Sequence, residues 1–238
     1  MTLEQLKMKY PAGKTRPVLI TEVTRMNNGF YCVAGFDLHA AKMIRPLHTP
    51  ASNWRLVDRK VFSPGHVVEC EYTGSRGNGA YPHRTEDTVL ARMPRVLETV
   101  GAEEIHTVLS SSLFDSVAQL YDGLLIDDKY VNDGTRCRSL GGVVVPVEKL
   151  RFEESFDKLR LRIFDTDGRH YSLGVTSDEL RTRFHDDRAT SPAVDDANEW
   201  LDGFSAGSRA LLRLGLARGW DKYNPKRCYL QLNGLLIA

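Results

Sequence analysis

The stretch Thr15–Leu47, with the sequence TRPVLITEVTRMNNGFYCVAGFDLHAAKMIRPL, predicts three consecutive β-strands with their turns. β-Branched and aromatic residues are concentrated in two runs, at 18–23 and 30–36, as is typical of strands. The triplet Asn27-Asn28-Gly29 lies between them and tolerates the positive φ angles of a hairpin turn. A third short run follows at Lys42–Leu47. Together the three runs predict a meander, an antiparallel sheet of neighbouring strands.

The second of these runs also resembles a known family. Residues 29–37 follow the pattern G-x-Y-C-V-A-G-x-D and are followed by KMIRPL, which is similar to the start of dual OB domain proteins, bacterial modules with two oligonucleotide-binding (OB) barrels. Gly35, within this pattern, predicts a bulge or bend of the kind that curls a short sheet towards a barrel.

Later segments extend the resemblance over most of the chain. Residues 82–87 (PHRTED) resemble the family's P-H-x-E-D element, with one extra residue, and residues 169–178 (RHYSLGVTSD) resemble its G-x-x-Y-x-L-x-V-T-D element, with Ser177 intervening. Residues 211–216 and 228–238 resemble its closing pair of strands. The resemblance implies two OB-like barrels, oligonucleotide binding, and work beside a protein partner in bacterial defence or nucleic-acid processing.

The order of strand and helix patterns predicts how the 238 residues are divided. Strand patterns continue to about residue 94, helical periodicity runs from Ala102 to Leu120, and a second set of strands begins near Arg136. We therefore predict a mainly β protein with a few helices: a first OB-like barrel at 14–95, a helical connector at 96–135, and a second OB-like barrel at 136–238. The second barrel contains a helical insertion, predicted at 178–187 and 191–203.

Composition limits the classes of function. The net charge is +1, so any contact with nucleic acid must come from a local basic patch and not from a global positive field. The four cysteines are far apart in the sequence, which predicts neither a metal knuckle nor a disulfide framework and favours a reducing cytoplasm. No apolar run approaches 18 residues, so neither a membrane span nor an export signal is expected.

Aromatic and basic residues are the candidates for binding, because rings stack on bases and cations neutralise phosphates. The candidates are Trp54, Arg76, Tyr81, His83, Arg84, Arg136, Arg138, Arg160, Arg162, Trp220, Lys222, Tyr223 and Lys226. Arg160 and Arg162 alternate along one predicted strand, so their side chains lie on the same face.

Each group has a structural alternative. Trp54 is either a base-stacking platform or a loop tryptophan that caps one end of the barrel. The glycine-rich loop at 74–84 either contacts phosphates or is a solvated hairpin loop. The loop at 219–225 and the lysines beside it either bind nucleic acid or serve solubility.

No catalytic motif is present. The sequence lacks H-E-x-x-H, G-x-S-x-G and a dinucleotide-binding G-x-G-x-x-G, and the loop at 74–84 lacks the spacing of a P-loop. His83, Glu86 and Asp87 have no further ligand at a metal-binding spacing, and the acidic segment 121–135 does not follow an EF-hand loop. We therefore predict neither an enzyme nor a cofactor or metal site.

The prediction that follows is a non-catalytic module that binds single-stranded DNA or RNA through backbone and stacking contacts. The alternative is a protein-interaction or small-nucleotide-sensing adaptor that binds no polymer, since OB-like barrels host several functions. Basic residues gathered on one face would favour nucleic acid, whereas scattered ones would favour the adaptor. The oligomeric state stays open.

Overall fold

A computed structural model describes residues 1–49, 52–75, 79–185 and 191–237, and these form two sheets of seven strands each. In chain order the elements are α1 (Leu3–Lys9), β1 (Arg16–Arg25), β2 (Phe30–Asp37), β3 (Lys42–Leu47), β4 (Trp54–Arg55), β5 (His66–Cys70), β6 (Asp87–Val89), β7 (Arg95–Thr99), α2 (Ala102–Leu109), α3 (Val117–Leu120), β8 (Tyr130–Asn132), β9 (Leu140–Pro146), β10 (Leu150–Glu154), β11 (Leu159–Phe164), β12 (His170–Val175), α4 (Asp178–Phe184), α5 (Val194–Asp202), β13 (Arg209–Leu216) and β14 (Arg227–Ile237). None of the helices in these ranges has the length and apolar content that crossing a membrane requires.

The first sheet contains the predicted meander, β1-β2-β3. The turn between β1 and β2 uses positive φ at Asn28 (61°) and Gly29 (71°). The bulge lies in β1, between Ile20 and Glu22, opposite the Gly35 region of β2. A Cβ atom on Gly35 would lie 2.7 Å from the Leu19 carbonyl oxygen, so only glycine lets the two strands approach this closely.

The remaining strands give this sheet its OB-type connections. Its order is β6-β3-β2-β1-β5-β7, with β4 paired to β2. β3 and β6 are parallel, and every other paired strand is antiparallel. The ends of β5 and β6 meet at an isolated bridge between Tyr72 and Leu90. The sheet is therefore curled, but no continuous ladder closes it, as in the partly open Greek-key barrel of an OB-fold.

The second sheet repeats this plan in the order β10-β11-β12-β14-β13-β9, with β8 paired to β14. β12 and β14 form the parallel pair. The two outermost strands, β9 and β10, are consecutive in the chain and are separated by a short turn at 147–149. The short turn thus joins the two edges of the sheet, which curls back on itself, and β9 and β10 together take the place of the first strand of an OB-fold. Two such sheets confirm the predicted fold class, although neither is a closed barrel.

The two sheets pack against each other around a shared apolar cluster. Each sheet also has a core of its own. The shared cluster consists of Leu6, Leu19, Phe36, Leu38, Val67, Val100, Ile105, Val108, Leu109 and Leu211. These residues come from α1, α2, the first sheet and β13 of the second sheet, so the helices fill the space between the sheets.

The segment predicted as the helical connector has a mixed structure. α2 and α3 lie within it, but so do most of β7, which pairs with the first sheet, and all of β8, which pairs with the second. The single helix predicted for Ala102 to Leu120 ends at Leu109. The Ser110 and Ser112 hydroxyls donate to the carbonyl oxygens of Thr107 and Leu109, and serine side chains compete in this way with helix continuation.

Candidate functional site

The side of the second sheet that faces away from its core is exposed, and β11 shows how its residues are divided. Leu159, Leu161 and Ile163 point into the core. The alternate residues, Arg160, Arg162 and Phe164, point outward, as the two-residue period of a strand requires. We call the outward side of β10, β11, β12, β14 and β8 the outer face.

The register of the strands shows that the outer face extends across the second sheet from β10 to β8. Arg160 is opposite Gly174 of β12, and Gly174 is opposite Gln231 of β14. Tyr229 lies two residues before Gln231 and therefore on the same side, and it is opposite Tyr130 of β8. Residues opposite each other in a ladder share a face, so this surface is continuous from β10 to β8.

The cations on β11 are held flat against the outer face. The Arg160 guanidinium donates from Nε to Ser172 Oγ (2.8 Å) and from Nη2 to the Ser172 carbonyl oxygen (2.5 Å). It lies beside Gly174, which has no side chain to displace it. Partial burial lowers the pKa of Arg160. Arg162 forms an exposed ion pair with Glu153 at 3.0 Å.

One end of the outer face carries five residues that we call the aromatic cluster: Tyr130, Trp220, Tyr223, Arg227 and Tyr229. The Trp220 ring is 52% exposed and lies 5.5 Å from the Tyr223 ring and 6.3 Å from that of Tyr229. The Arg227 guanidinium lies 4.0 Å from the Tyr223 ring and 4.5 Å from the Tyr130 ring. The cluster thus combines an exposed indole with a cation held among tyrosine rings.

The cations around the cluster differ in whether a carboxylate pairs with them. Lys222 Nζ lies 5.4 Å from the Trp220 ring, and among the described residues no carboxylate forms an ion pair with Lys222 or Arg227. Lys226 pairs with Asp221 at 2.5 Å on the exposed loop. A hydrogen bond with Arg227 lowers the pKa of Tyr229. Two cations next to the exposed indole are therefore accessible to an anion.

Residues of the first half of the chain lie next to this loop. The Gly134 amide donates to the Tyr81 carbonyl oxygen (2.8 Å), and the Asp133 amide donates to that of Lys226 (2.8 Å). The Arg136 guanidinium lies 5.2 Å from the Tyr81 ring. A second pair of ring and cation therefore lies beside the aromatic cluster.

A family model described as a dual OB-containing domain matches residues 17–235. The chain belongs to this family. Solved structures add only a distant likeness: a murine DNA binding protein bound with ds DNA (10% identity, TM-score 0.37, 94% of this chain and 93% of that chain) and the tetrameric p202 HIN2 (10% identity, TM-score 0.34, 94% and 90%). Such scores carry no argument about function. None of the curated proteins matches the chain.

One candidate of this dual OB chain, Trp54, is part of the core of the first sheet. It is 2% exposed, its Nε1 donates to the Pro46 carbonyl oxygen (2.8 Å), and its ring lies 4.6 Å from that of Phe62. No face of the ring is open to a base. The stacking alternative for Trp54 is wrong, because Trp54 lies in β4, paired with Tyr31 of β2, and its indole packs in the core.

His83 is likewise buried, at the junction between the two halves. It is 3% exposed, and its Nε2 lies 2.9 Å from the Leu216 carbonyl oxygen. Burial lowers the pKa of His83 to about 3. Nearby, Ser139 donates from Oγ to Glu86 (2.7 Å), and burial raises the pKa of Glu86 to about 7. His83 therefore holds the halves together and offers no surface to a ligand, contrary to the prediction.

The other basic candidates differ in their surroundings. Arg138 is half-buried, donates to the Leu120 carbonyl oxygen (2.9 Å) and lies 4.5 Å from the Phe114 ring, so it anchors α3. Arg84 is exposed. Arg76 lies outside the described residues.

A buried carboxylate holds the base of the loop that carries Trp220. Asp87 accepts hydrogen bonds from Arg45 Nη1 (2.7 Å) and Arg218 Nη2 (2.8 Å). Arg218 lies two residues before Trp220, so Asp87 of the first sheet fixes the position at which this loop leaves the second sheet.

A separate groove of about 520 Å³ lies between β1, α4 and β14. Two of its cations, Arg25 and Arg59, pair with one carboxylate, Asp178, at 2.8 and 3.0 Å. Sequence analysis did not predict this groove. Both arginines are thus engaged by a carboxylate, whereas Arg227 of the aromatic cluster forms no ion pair with a carboxylate among the described residues.

The sequence analysis also missed several residues of the outer face. They are Tyr130, Phe164, His170 and Tyr229. A signal was present for two of them: Phe164 continues the alternation of Arg160 and Arg162, and Tyr229 alternates with the apolar Cys228 and Leu230. Within the described ranges, no group of three or more His, Cys, Asp or Glu residues is placed to hold a metal ion.

Proposed function

We propose that this dual OB protein is a non-catalytic module that binds single-stranded DNA or RNA across the outer face. The observation that carries the proposal is the aromatic cluster, in which the half-exposed Trp220 lies beside Lys222 and Arg227. Stacking of a base on an aromatic ring contributes roughly 1–3 kcal/mol, and neighbouring cations add attraction to the phosphates.

The position of the cluster within the fold supports this proposal. β11 and β12 are the second and third strands of the second domain, and the loop at 217–226 joins its fourth and fifth strands, β13 and β14. OB-folds in general bind oligonucleotides on the face of strands 2 and 3 and on the loops at their edges. Arg160 and Arg162 lie on that face, so a strand stacked on Trp220 would continue across both cations.

A single strand suits the site better than a duplex. Stacking on Trp220 requires a base whose flat side is free, and paired bases within a duplex are stacked on one another. With a net charge of +1, binding depends on the few cations of the outer face. If Arg160, Arg162, Lys222 and Arg227 each neutralise one phosphate, log K should fall with log salt concentration with a slope of roughly −3.

The proposal includes a cellular role that the family resemblance supports. The protein would act in the cytoplasm as an accessory of a bacterial defence or nucleic-acid-processing system, together with a protein partner. The groove beside Asp178 favours the alternative, an adaptor that senses a small nucleotide without binding polymers. Asp178 already engages both Arg25 and Arg59. Lys222 and Arg227 pair with no carboxylate among the described residues, so the outer face supports the polymer-binding function better.

The test is a fluorescence-anisotropy titration with single- and double-stranded DNA and RNA at two salt concentrations. Single strands should bind at micromolar or lower concentration, and Trp220→Ala should weaken binding about 10-fold or more. Arg162→Ala should weaken binding and reduce the salt slope. Arg95→Ala is the matched control, because Arg95 is also an exposed strand arginine paired with a glutamate, Glu69, but lies on the first sheet.

Two results would contradict the proposal. Absence of binding to every oligomer at low salt would exclude it, and a titration with mononucleotides would then examine the adaptor alternative. Equal losses in Arg162→Ala and Arg95→Ala would show that binding is not located on the outer face.

A further inference from the structure

The hairpin between β10 and β11 ends in Phe156, whose side chain is 91% exposed. No other large apolar side chain among the described residues is exposed to this extent. Ser155 and Lys158 close the hairpin, each amide donating to the carbonyl oxygen of the other at 3.1 and 3.3 Å. Phe156 therefore projects into solvent from a rigid two-residue turn.

The backbone of this turn is unfavourable for phenylalanine. Phe156 has φ of 56° and Asp157 has φ of 55°. Two-residue turns with positive φ at both positions strongly prefer asparagine, aspartate and glycine, and a bulky residue there is strained. The free protein therefore has a strained backbone at Phe156 and exposes the phenyl ring to water. Residues with strained φ and ψ angles are concentrated at binding and active sites.

Strand register places Phe156 at the end of the outer face opposite the aromatic cluster. Arg160 is level with Gly174 and Gln231. The hairpin register puts Phe156 opposite Asp157, three residues beyond that level on one side. Arg227 lies four residues from it on the other side. At about 3.3 Å per residue, the hairpin tip and the cluster are separated by roughly 23 Å along the strands.

We propose that Phe156 is a second stacking site, which contacts an unpaired base of the same single strand whose other end stacks on Trp220. This inference rests on the proposed function and specifies its extent. The separation suits a strand of several nucleotides, within the range of about 4–16 nucleotides that one OB domain binds. The ring at the tip then defines the far end of the binding site.

The test is Phe156→Asn, which replaces the ring by a residue that the turn prefers. The variant should unfold at a higher temperature than the wild type, and it should bind a single-stranded 12-mer about 5-fold or more weakly in fluorescence anisotropy. A 3-mer, which is too short to span the outer face, should lose no affinity.

Asp157→Gly is the matched control, because it changes the other central residue of the turn and keeps the ring. Aspartate and glycine both suit positive φ, so it should change the unfolding temperature little and leave the affinity for the 12-mer unchanged. If the wild type binds the 12-mer and Phe156→Asn binds it equally well, the inference is wrong and the proposed function stands. If both variants lose the same affinity, turn geometry and not the ring is responsible, and the inference is again wrong. If the wild type binds no oligomer, the proposed function itself fails.

Discussion

Replacing Arg213 by methionine should destabilise the protein strongly, because Arg213 and Glu22 form a buried ion pair between the two sheets. Each side chain is 1% exposed, and Arg213 Nε donates to Glu22 Oε2 at 3.1 Å. Thr21 also donates to this carboxylate, and Arg213 Nη2 contacts the Met43 sulfur at 2.9 Å. Among the described residues, Arg213 Nη1 and Glu22 Oε1 have no partner.

The loss of stability in Arg213→Met is large because the substitution leaves a buried carboxylate unpaired. Arg213→Met removes the cation and leaves the Glu22 carboxylate buried without a counter-charge, which costs about 3–5 kcal/mol. Methionine fills much of the same space, so little of this cost comes from a cavity. Replacing both partners, as Glu22→Leu with Arg213→Met, removes both charges and should cost far less than the single change, because the desolvation of two ions is also avoided.

The assay is urea unfolding at pH 7, followed by circular dichroism and tryptophan fluorescence. For a chain of 238 residues, about 4 kcal/mol corresponds to a fall in the unfolding temperature of about 10 °C. A loss below about 1 kcal/mol for Arg213→Met would refute the reasoning, since it would mean that water reaches the carboxylate. A double variant whose loss equals the sum of the single losses would refute it as well.

Three further predictions concern the acidity of Glu86, the acidity of His83 and the backbone geometry at Gly65. Burial raises the pKa of Glu86 to about 7, so the folded chain keeps a proton that the unfolded chain loses above its usual value of 4.5. As pH rises from about 4.5 to about 7, the free energy of unfolding of the wild type should therefore fall relative to that of Glu86→Gln, and a difference independent of pH would contradict this. Burial lowers the pKa of His83 to about 3, so the folded chain holds this imidazole neutral while the unfolded chain protonates it. The free energy of unfolding of the wild type should therefore fall as pH falls from about 6.5 to about 3. In urea titrations, His83→Gln should lose less stability over the same range. Gly65 has φ of 90°, and a Cβ there would lie 2.4 Å from the Val100 carbonyl oxygen, so Gly65→Ala should lower the unfolding temperature, whereas Gly13→Ala, with no atom within 4 Å, should leave it nearly unchanged.

Local patterns predicted much of the fold, because strands and turns follow from neighbouring residues. The meander around Asn28 was predicted from β-rich runs and turn residues, and the strands that correspond to β13 and β14 were predicted from the family resemblance. β10 was missed, because its sequence LRFEE is rich in charge. The helix predicted at 191–203 is shorter in the structure, where α5 begins at Val194 after Ala193. The Glu22–Arg213 pair joins residues 191 positions apart, and no local pattern indicates such a contact.

The sequence predicted those residues of the candidate site whose position follows from the two-residue period of a strand or from loop composition. The period of two placed Arg160 and Arg162 on one face, and the composition of the loop indicated Trp220. Composition alone did not distinguish Trp220 from Trp54, because the two differ in tertiary packing and not in their neighbours along the chain. Nor did it show that Tyr81 and Arg136, from the two halves of the chain, lie beside the same loop.

The cluster shared by the two sheets has a consequence for the order in which the chain folds during synthesis. Leu19 and Phe36 of the first sheet are in the same cluster as Leu211. On the ribosome, the first sheet and α2 emerge roughly 100 residues before Leu211, and at about 5–20 residues per second this is an interval on the order of 10 seconds. During this interval an apolar face of the first sheet is exposed, because β13, which covers it in the folded protein, has not yet emerged. A nascent chain halted in this interval should bind chaperones that capture apolar surfaces, and it should be released once β13 has emerged.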